Sequence, residues 1–336
     1  MKILFISNGH GEDIIAARII KELAGNQISA LPVVGKGDAF EGLGIEILGP
    51  RKSMPSGGFV YQSLLNMAKD VIAGLAVNTR DQINLLLSLK GKFDLVVAIG
   101  DIVPIVGALL TKTPFIFVGC AKSDHYDYSY TPWEKFLLKK YCKMSFPRDQ
   151  KTTDNLKKYG IKAEYVGNPM MDCIETTGNT FGVSDNTVMI GVLPGTRDDA
   201  AMNLEDITAA VEEIEKIYEK RTFSLVANPA NFGDVISMAD IIIGLSGTGN
   251  EQAAGLGKPV VAFPGRGVQY TAAFAKKQTQ LLGDALALTD RDPKKVAETV
   301  ANILRDKDLY NKMSLAGKQR MGGPGASNKI GQYILQ

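Results

Sequence analysis

The residues best suited to gripping an anion lie in Ile241–Gly265, IIIGLSGTGNEQAAGLGKPVVAFPG. An apolar run, a Gly/Ser/Thr turn, a helix opening near Thr248 and a second apolar run at Val260–Phe263 predict a strand–turn–helix–strand unit. Gly247 and Gly249 permit a tight turn and leave amide N–H groups uncovered. The helix N-terminus adds partial positive charge at the same place, which suits a diphosphate. Glu251, one turn into the helix, is close enough to bond a ribose hydroxyl beside it. Thr248-Gly-Asn-Glu251 also fits a capping box, in which Glu251 only caps its own helix. The local pattern leaves both readings open.

Acid–base chemistry points to the other end of the chain. His10 is one of two histidines and stands between Gly9 and Gly11, directly after the apolar run Lys2–Ser7. A general base needs a pKa near neutrality and an orienting partner. Asp101, at the end of the run Asp94–Ile99, is the candidate partner; the dyad would take a proton from an acceptor hydroxyl. Asp101 could instead be the base with His10 a binder, or His10 could only cap the next helix or meet a phosphate. Gly9-x-Gly11 begins like a dinucleotide fingerprint, but Ile14 stands where its third glycine belongs and no acid follows near Val34. His125 lies among tyrosines in a loop that is either carbohydrate-facing or simply solvated. Arg197 ends Pro194-Gly-Thr-Arg197, where a guanidinium matches phosphate oxygens, or pairs only with Asp198 or Asp199. Gln269 can donate to and accept from sugar hydroxyls, or cap a helix. No HExxH, paired Cys/His or flanked DxD appears, so no metal or cofactor is expected. The charge of a departing diphosphate would then fall to helix N-termini and Arg197.

These residues need a scaffold of strand ends. The chain has 336 residues, enough for two domains, and is 45% hydrophobic and 22% charged with a net charge of +2. That charge implies no nucleic-acid partner. Cys120, Cys142 and Cys173 are odd in number and widely spaced, which suits a reducing cytoplasm. The opening MKILFIS reads as a first strand rather than a signal peptide, and no apolar run reaches membrane-spanning length. A β/α rhythm runs through residues 1–172. Its strands include Ser29–Val34, Pro114–Val118, Lys143–Phe146 and Ala163–Val166, and its first helix carries Ile14, Ile15, Ile19 and Ile20 inward. A Thr/Gly/Asn-rich linker covers 173–186, and the rhythm restarts over 187–321. Residues 322–336 form a terminal helix. The expected class is α/β, with two doubly wound Rossmann-like domains whose parallel sheets face a central cleft. Phe59–Leu87 reads as mostly helical. With Arg51, Lys52, Lys69 and Arg80, its Phe59–Val77 region is either a domain helix or a basic amphipathic helix on a membrane surface.

Four separated stretches resemble one family: SNGHGEDIIA (Ser7–Ala16), VAIGDIVP (Val97–Pro104), VGNPMMD (Val166–Asp172) with LPGTR (Leu193–Arg197), and Gly244–Gly265. The sequence resembles bacterial lipid-A-disaccharide synthases, and more closely a shorter related branch associated with cyanobacteria. The resemblance implies a GT-B glycosyltransferase that inverts at the sugar carbon without a metal. Gly195, Thr196 and Arg197 would approach the diphosphate of a UDP-sugar co-substrate, and Ser246, Gly247 and Thr248 would meet it from the helix end. Glu251 would take the ribose, Gln269 the donor sugar, and Asp101 would match the family's acidic base. Gly9, Gly11 and His125 would lie on the acceptor side. The family's full synthases have no histidine at position 10, and the segment Asn228–Asp234 is shorter here than is usual for them. The expectation is sugar transfer from a UDP-sugar to a lipid-like acceptor, in the cytoplasm or at the inner face of a membrane. A UDP-sugar 2-epimerase, which shares the fold, is the alternative, and would be expected to carry more acidic and histidine residues at its site. A non-catalytic nucleotide-sugar-binding protein is the third reading.

Overall fold

The computed structural model describes the chain except residues 51–74, 127–128, 185 and 197–198. Arg197 therefore lies outside the described residues, as does Phe59–Val77 apart from its last backbone positions. The chain divides into two compact units: Met1–Cys173 with Pro324–Gln336, and Ile174–Gly323.

The first unit contains β1 (Lys2–Ser7), α1 (Gly11–Ile20), β2 (Gln27–Pro32), β3 (Glu46–Ile47), α2 (Leu75–Ser88), β4 (Leu95–Gly100) and α3 (Ile102–Thr111). It continues with β5 (Phe115–Gly119), α4 (Pro132–Tyr141), β6 (Cys142–Pro147) and α5 (Gln150–Lys158). Its sheet is six-stranded in the order β3-β2-β1-β4-β5-β6, and every pairing is parallel. A parallel sheet covered on both faces needs near-continuous apolar strands, and β1 and β4 supply them. Because strand side chains alternate, Ile3 and Phe5 pack with α1 on one face. Leu4 and Ile6 pack with Leu86, Ile105 and Ala108 on the other.

The second unit contains β7 (Val188–Leu193), α6 (Ala200–Ile217), β8 (Thr222–Val226), α7 (Phe232–Met238), β9 (Ile241–Gly244) and α8 (Thr248–Gly255). It ends with β10 (Val260–Ala262), α9 (Ala272–Leu282), β11 (Leu286–Leu288), α10 (Pro293–Arg305) and α11 (Lys307–Met321). Its five strands are parallel in the order β11-β10-β9-β7-β8. The last helix, α12 (Ala326–Ile334), belongs to the first unit, where Asp172 accepts the Gly325 and Ser327 amides and buries Ile330 and Ile334 in the β1–α1 core.

Two local expectations fail, and one helix lies where the sequence reading places none. Ala163–Val166 is not a strand; only a single bridge joins Ala163 to Ser145 before Gly167 and Pro169 turn the chain away. Ile14 is 51% exposed, because Ile15, Ala16, Ile19 and Ile20 already form the buried stripe of α1. Helix α9 was not anticipated, although Thr271 caps it by accepting the Phe274 amide.

Candidate functional site

In the first sheet, strand order runs outward from β1 and β4, so the loops after these two strands diverge and open a crevice at their carboxyl ends. Asn8–Glu12 and Asp101 line it. Gly9 has φ +110, and a Cβ there would stand 2.4 Å from the Val34 carbonyl oxygen, so the tight turn after β1 requires glycine. His10 follows with φ 47, exposed at the N-cap of α1 with no side-chain cap bond. Asp101 caps α3, with Oδ1 accepting the Val103 amide at 2.9 Å and Oδ2 accepting the Asn8 side-chain amide at 3.3 Å. Among the described residues no hydrogen bond or ion pair joins His10 to Asp101; the imidazole acts instead on Asp13. The expected dyad is thus not assembled in this arrangement.

What the crevice assembles is a group of carboxyls. Burial pushes Glu12 up to about 7, and the charges of Asp101 and Asp13 raise it further against its backbone bond and Arg148. Burial pushes Asp13 up to about 6, opposed by the Ser7 hydroxyl and by His10. Asp101 is also raised by burial, opposed by the Val103 amide and Lys122. Arg148, 6% exposed, donates to the Cys120 carbonyl at 3.0 Å. Burial holds the Cys120 thiol well above its usual range, so it is no thiolate nucleophile near neutrality. His125 sits lower in the loop after β5, its amide donating to Ser123 at 3.1 Å and its Nε2 3.9 Å from Asp149.

Glu12 binds its proton more tightly folded than unfolded, so stability falls as pH rises from the ordinary carboxylate range through about 7. Glu12→Gln should therefore stabilise the first unit at pH 8, on the order of 2 kcal/mol, and have little effect at pH 4. Urea denaturation at the two pH values checks this; equal effects at both would remove the buried-carboxyl account.

The second sheet has its own switch point, between β7 and β9, and the predicted turns follow these strands. Gly195, Thr196 and Ser246 share a pocket of about 90 Å³ with Asn228 and Phe232. The N-cap of α8 is Gly247 rather than Thr248, with no side-chain cap bond, so Thr248 and Glu251 do not stand in capping-box positions. Ser246 Oγ accepts the Gly249 amide at 3.3 Å. Asp199 pins the loop after β10 by accepting the Gln269 amide at 2.8 Å, and Asn203 donates to the Pro194 carbonyl at 2.9 Å. The structure thus ties the segments bearing Gly195 and Gln269 to one rim.

No family model and no curated protein matches the chain. Solved structures do. A UDP-GlcNAc 2-epimerase from Neisseria meningitidis bound to UDP-GlcNAc is 18% identical with a TM-score of 0.63, covering 100% of both chains. A UDP-GlcNAc 2-epimerase from Methanocaldococcus jannaschii is also 18% identical with a TM-score of 0.63, covering 100% of this chain and 99% of the other. MurG from Acinetobacter baumannii is 16% identical with a TM-score of 0.62, covering 99% of each.

The fold is that of the GT-B proteins, two parallel-sheet Rossmann-like units. The likeness runs mainly to UDP-GlcNAc 2-epimerases, not to lipid-A-disaccharide synthases, which overturns the resemblance drawn from the motifs. It likewise overturns the expected transfer of a sugar to a lipid-like acceptor. The matching stretches include the turns after β1, β4, β7 and β9, so they carried the fold and not the reaction. Among the described residues no helix is long and apolar enough to cross a membrane.

Sequence reading missed Glu12, Asp13 and Arg148 in the first unit and Asn250 and Gln278 in the second, and took Asp199 only as a partner for Arg197. Glu12 and Asp13 sit in the quoted Ser7–Ala16 motif; acids in the first turn of a helix read as dipole partners, and only burial reveals their raised pKa.

Proposed function

We propose that this protein is an enzyme, a UDP-sugar 2-epimerase acting on a UDP-linked 2-acetamido sugar. The observation that carries the reading is the carboxyl pair at the β1/β4 switch point, Glu12 and Asp101, in environments that hold Glu12 near 7. Two carboxyls that differ in proton affinity can serve as acid and base at one pH. Within the second unit, the uncovered amides at Gly247 and Thr248 suit a diphosphate.

The C2 hydrogen of such a sugar has no carbonyl beside it. It becomes removable as the C1–O bond to the diphosphate breaks. In the proposed step Asp101 takes the C2 proton, the C–H pair forms a C1=C2 double bond, and the C1–O pair leaves with UDP. Protonated Glu12 then delivers its proton to the opposite face of C2, and UDP adds back to C1. Substrate and product are isomers, so no oxidant is consumed. The neighbours' complexes with UDP-GlcNAc and UDP support the choice of nucleotide. UDP-GlcNAc supplied alone should yield its C2 epimer by proton NMR; an unchanged sugar after long incubation with folded protein would end the reading.

A further inference from the structure

Beneath the Ser246-Gly247 turn lies a buried polar network that the proposed chemistry does not use. Gln278, on α9 and 3% exposed, donates through Nε2 to the Ser246 carbonyl at 3.1 Å and the Gly247 carbonyl at 2.8 Å. Its Oε1 accepts from the Tyr270 hydroxyl at 2.6 Å and from Asn250 Nδ2 at 2.9 Å. Asn250, fully buried on α8, also donates to the Gly244 carbonyl at 3.0 Å. The amide of Gln278 is thus fixed in one orientation, because two donors hold its oxygen and its nitrogen faces two carbonyls.

The consequence follows from peptide geometry. In a trans peptide the C=O and N–H point in opposite directions. Holding the Ser246 and Gly247 carbonyls toward Gln278 turns the Gly247 and Thr248 N–H groups away from it. Among the described residues neither N–H meets a protein acceptor. We propose that Gln278 is the positioning residue that aims these two amides at the diphosphate of the nucleotide sugar. This rests on the reading of that turn as the diphosphate cradle. A buried glutamine is an unusual choice for a helix–turn contact that leucine could fill, and its donor–acceptor pair is what the two carbonyls and two donors together demand.

Gln278→Glu tests the claim, because a carboxylate keeps the shape but donates only when protonated. UDP-GlcNAc is the probe, since its diphosphate does not titrate between pH 5.5 and 8. Calorimetry should give an affinity for Gln278→Glu weaker than wild type by about 10–100-fold at pH 8, partly restored at pH 5.5. The effect is read as the ratio of variant to wild-type affinity at each pH, because Glu12, near 7, titrates over this range in both proteins. Gln278→Leu should lose affinity to a similar extent with no recovery at low pH. Tyr270→Phe, which keeps the edge contact with Phe274, should lose only a few-fold. Melting curves without ligand confirm that each variant is folded. Folded Gln278→Glu and Gln278→Leu that bind within about threefold of wild type would overturn the positioning role alone. Wild-type protein that fails to bind UDP-GlcNAc would overturn the functional reading and this assignment with it.

Discussion

Asp101→Asn should lower turnover of UDP-GlcNAc by about 10²–10⁴-fold while the nucleotide sugar still binds. Asparagine preserves the shape that caps α3 and meets Asn8, so the fold of the crevice should survive. It cannot accept a proton from carbon. A general base contributes only in the transition state, so kcat should fall and KM should change little. The pH profile follows from the partner. Glu12 acts as the acid only while protonated, so activity should decline as pH rises through about 7. Glu12→Gln should flatten that limb along with slowing the reaction. Retained turnover in Asp101→Asn, with the alkaline limb unchanged in Glu12→Gln, would move the chemistry elsewhere on the chain.

The second large effect is structural. Gly317→Ala should destabilise the second unit by about 3 kcal/mol or more. A Cβ at Gly317 would stand 2.1 Å from the Ala254 carbonyl oxygen and 2.8 Å from its carbon. Both are backbone atoms of α8, so no side chain can swing aside. Either α11 moves out or α8 is displaced, and the second choice also disturbs Gly247 and Thr248. Urea denaturation measures the loss, and UDP-GlcNAc affinity of whatever folded protein remains reports the displacement. A change under about 0.5 kcal/mol would mean that the two helices are not in such contact.

Much of this architecture could be read from the sequence because its signals are local. Continuous apolar runs closed by the turn residues Ser7-Asn8, Gly100-Asp101 and Gly244 gave β1, β4 and β9 with nearly their observed limits. What could not be read is what depends on distant residues. Gly317 looks like a flaw in a helix until Ala254 is placed against it. Glu12 looks like a dipole partner until burial raises its pKa. Gln278 looks like a surface residue of AAFAKKQTQLL until the carbonyls of Ser246 and Gly247 are found beside it. The reaction was misread for a related cause: a glycine turn suited to a diphosphate is compatible with a transferase and an epimerase alike.

The central claim is that a proton leaves and returns at C2 of the sugar. Incubating UDP-GlcNAc with the protein in D2O, with no acceptor present, measures this directly by proton NMR and mass. The account predicts one deuterium at C2 in the epimer formed and, with time, in the UDP-GlcNAc recovered, with the loss of the C2 proton signal. Epimer formed without deuterium, or UDP-GlcNAc that keeps its C2 proton indefinitely in the presence of folded protein, would contradict it.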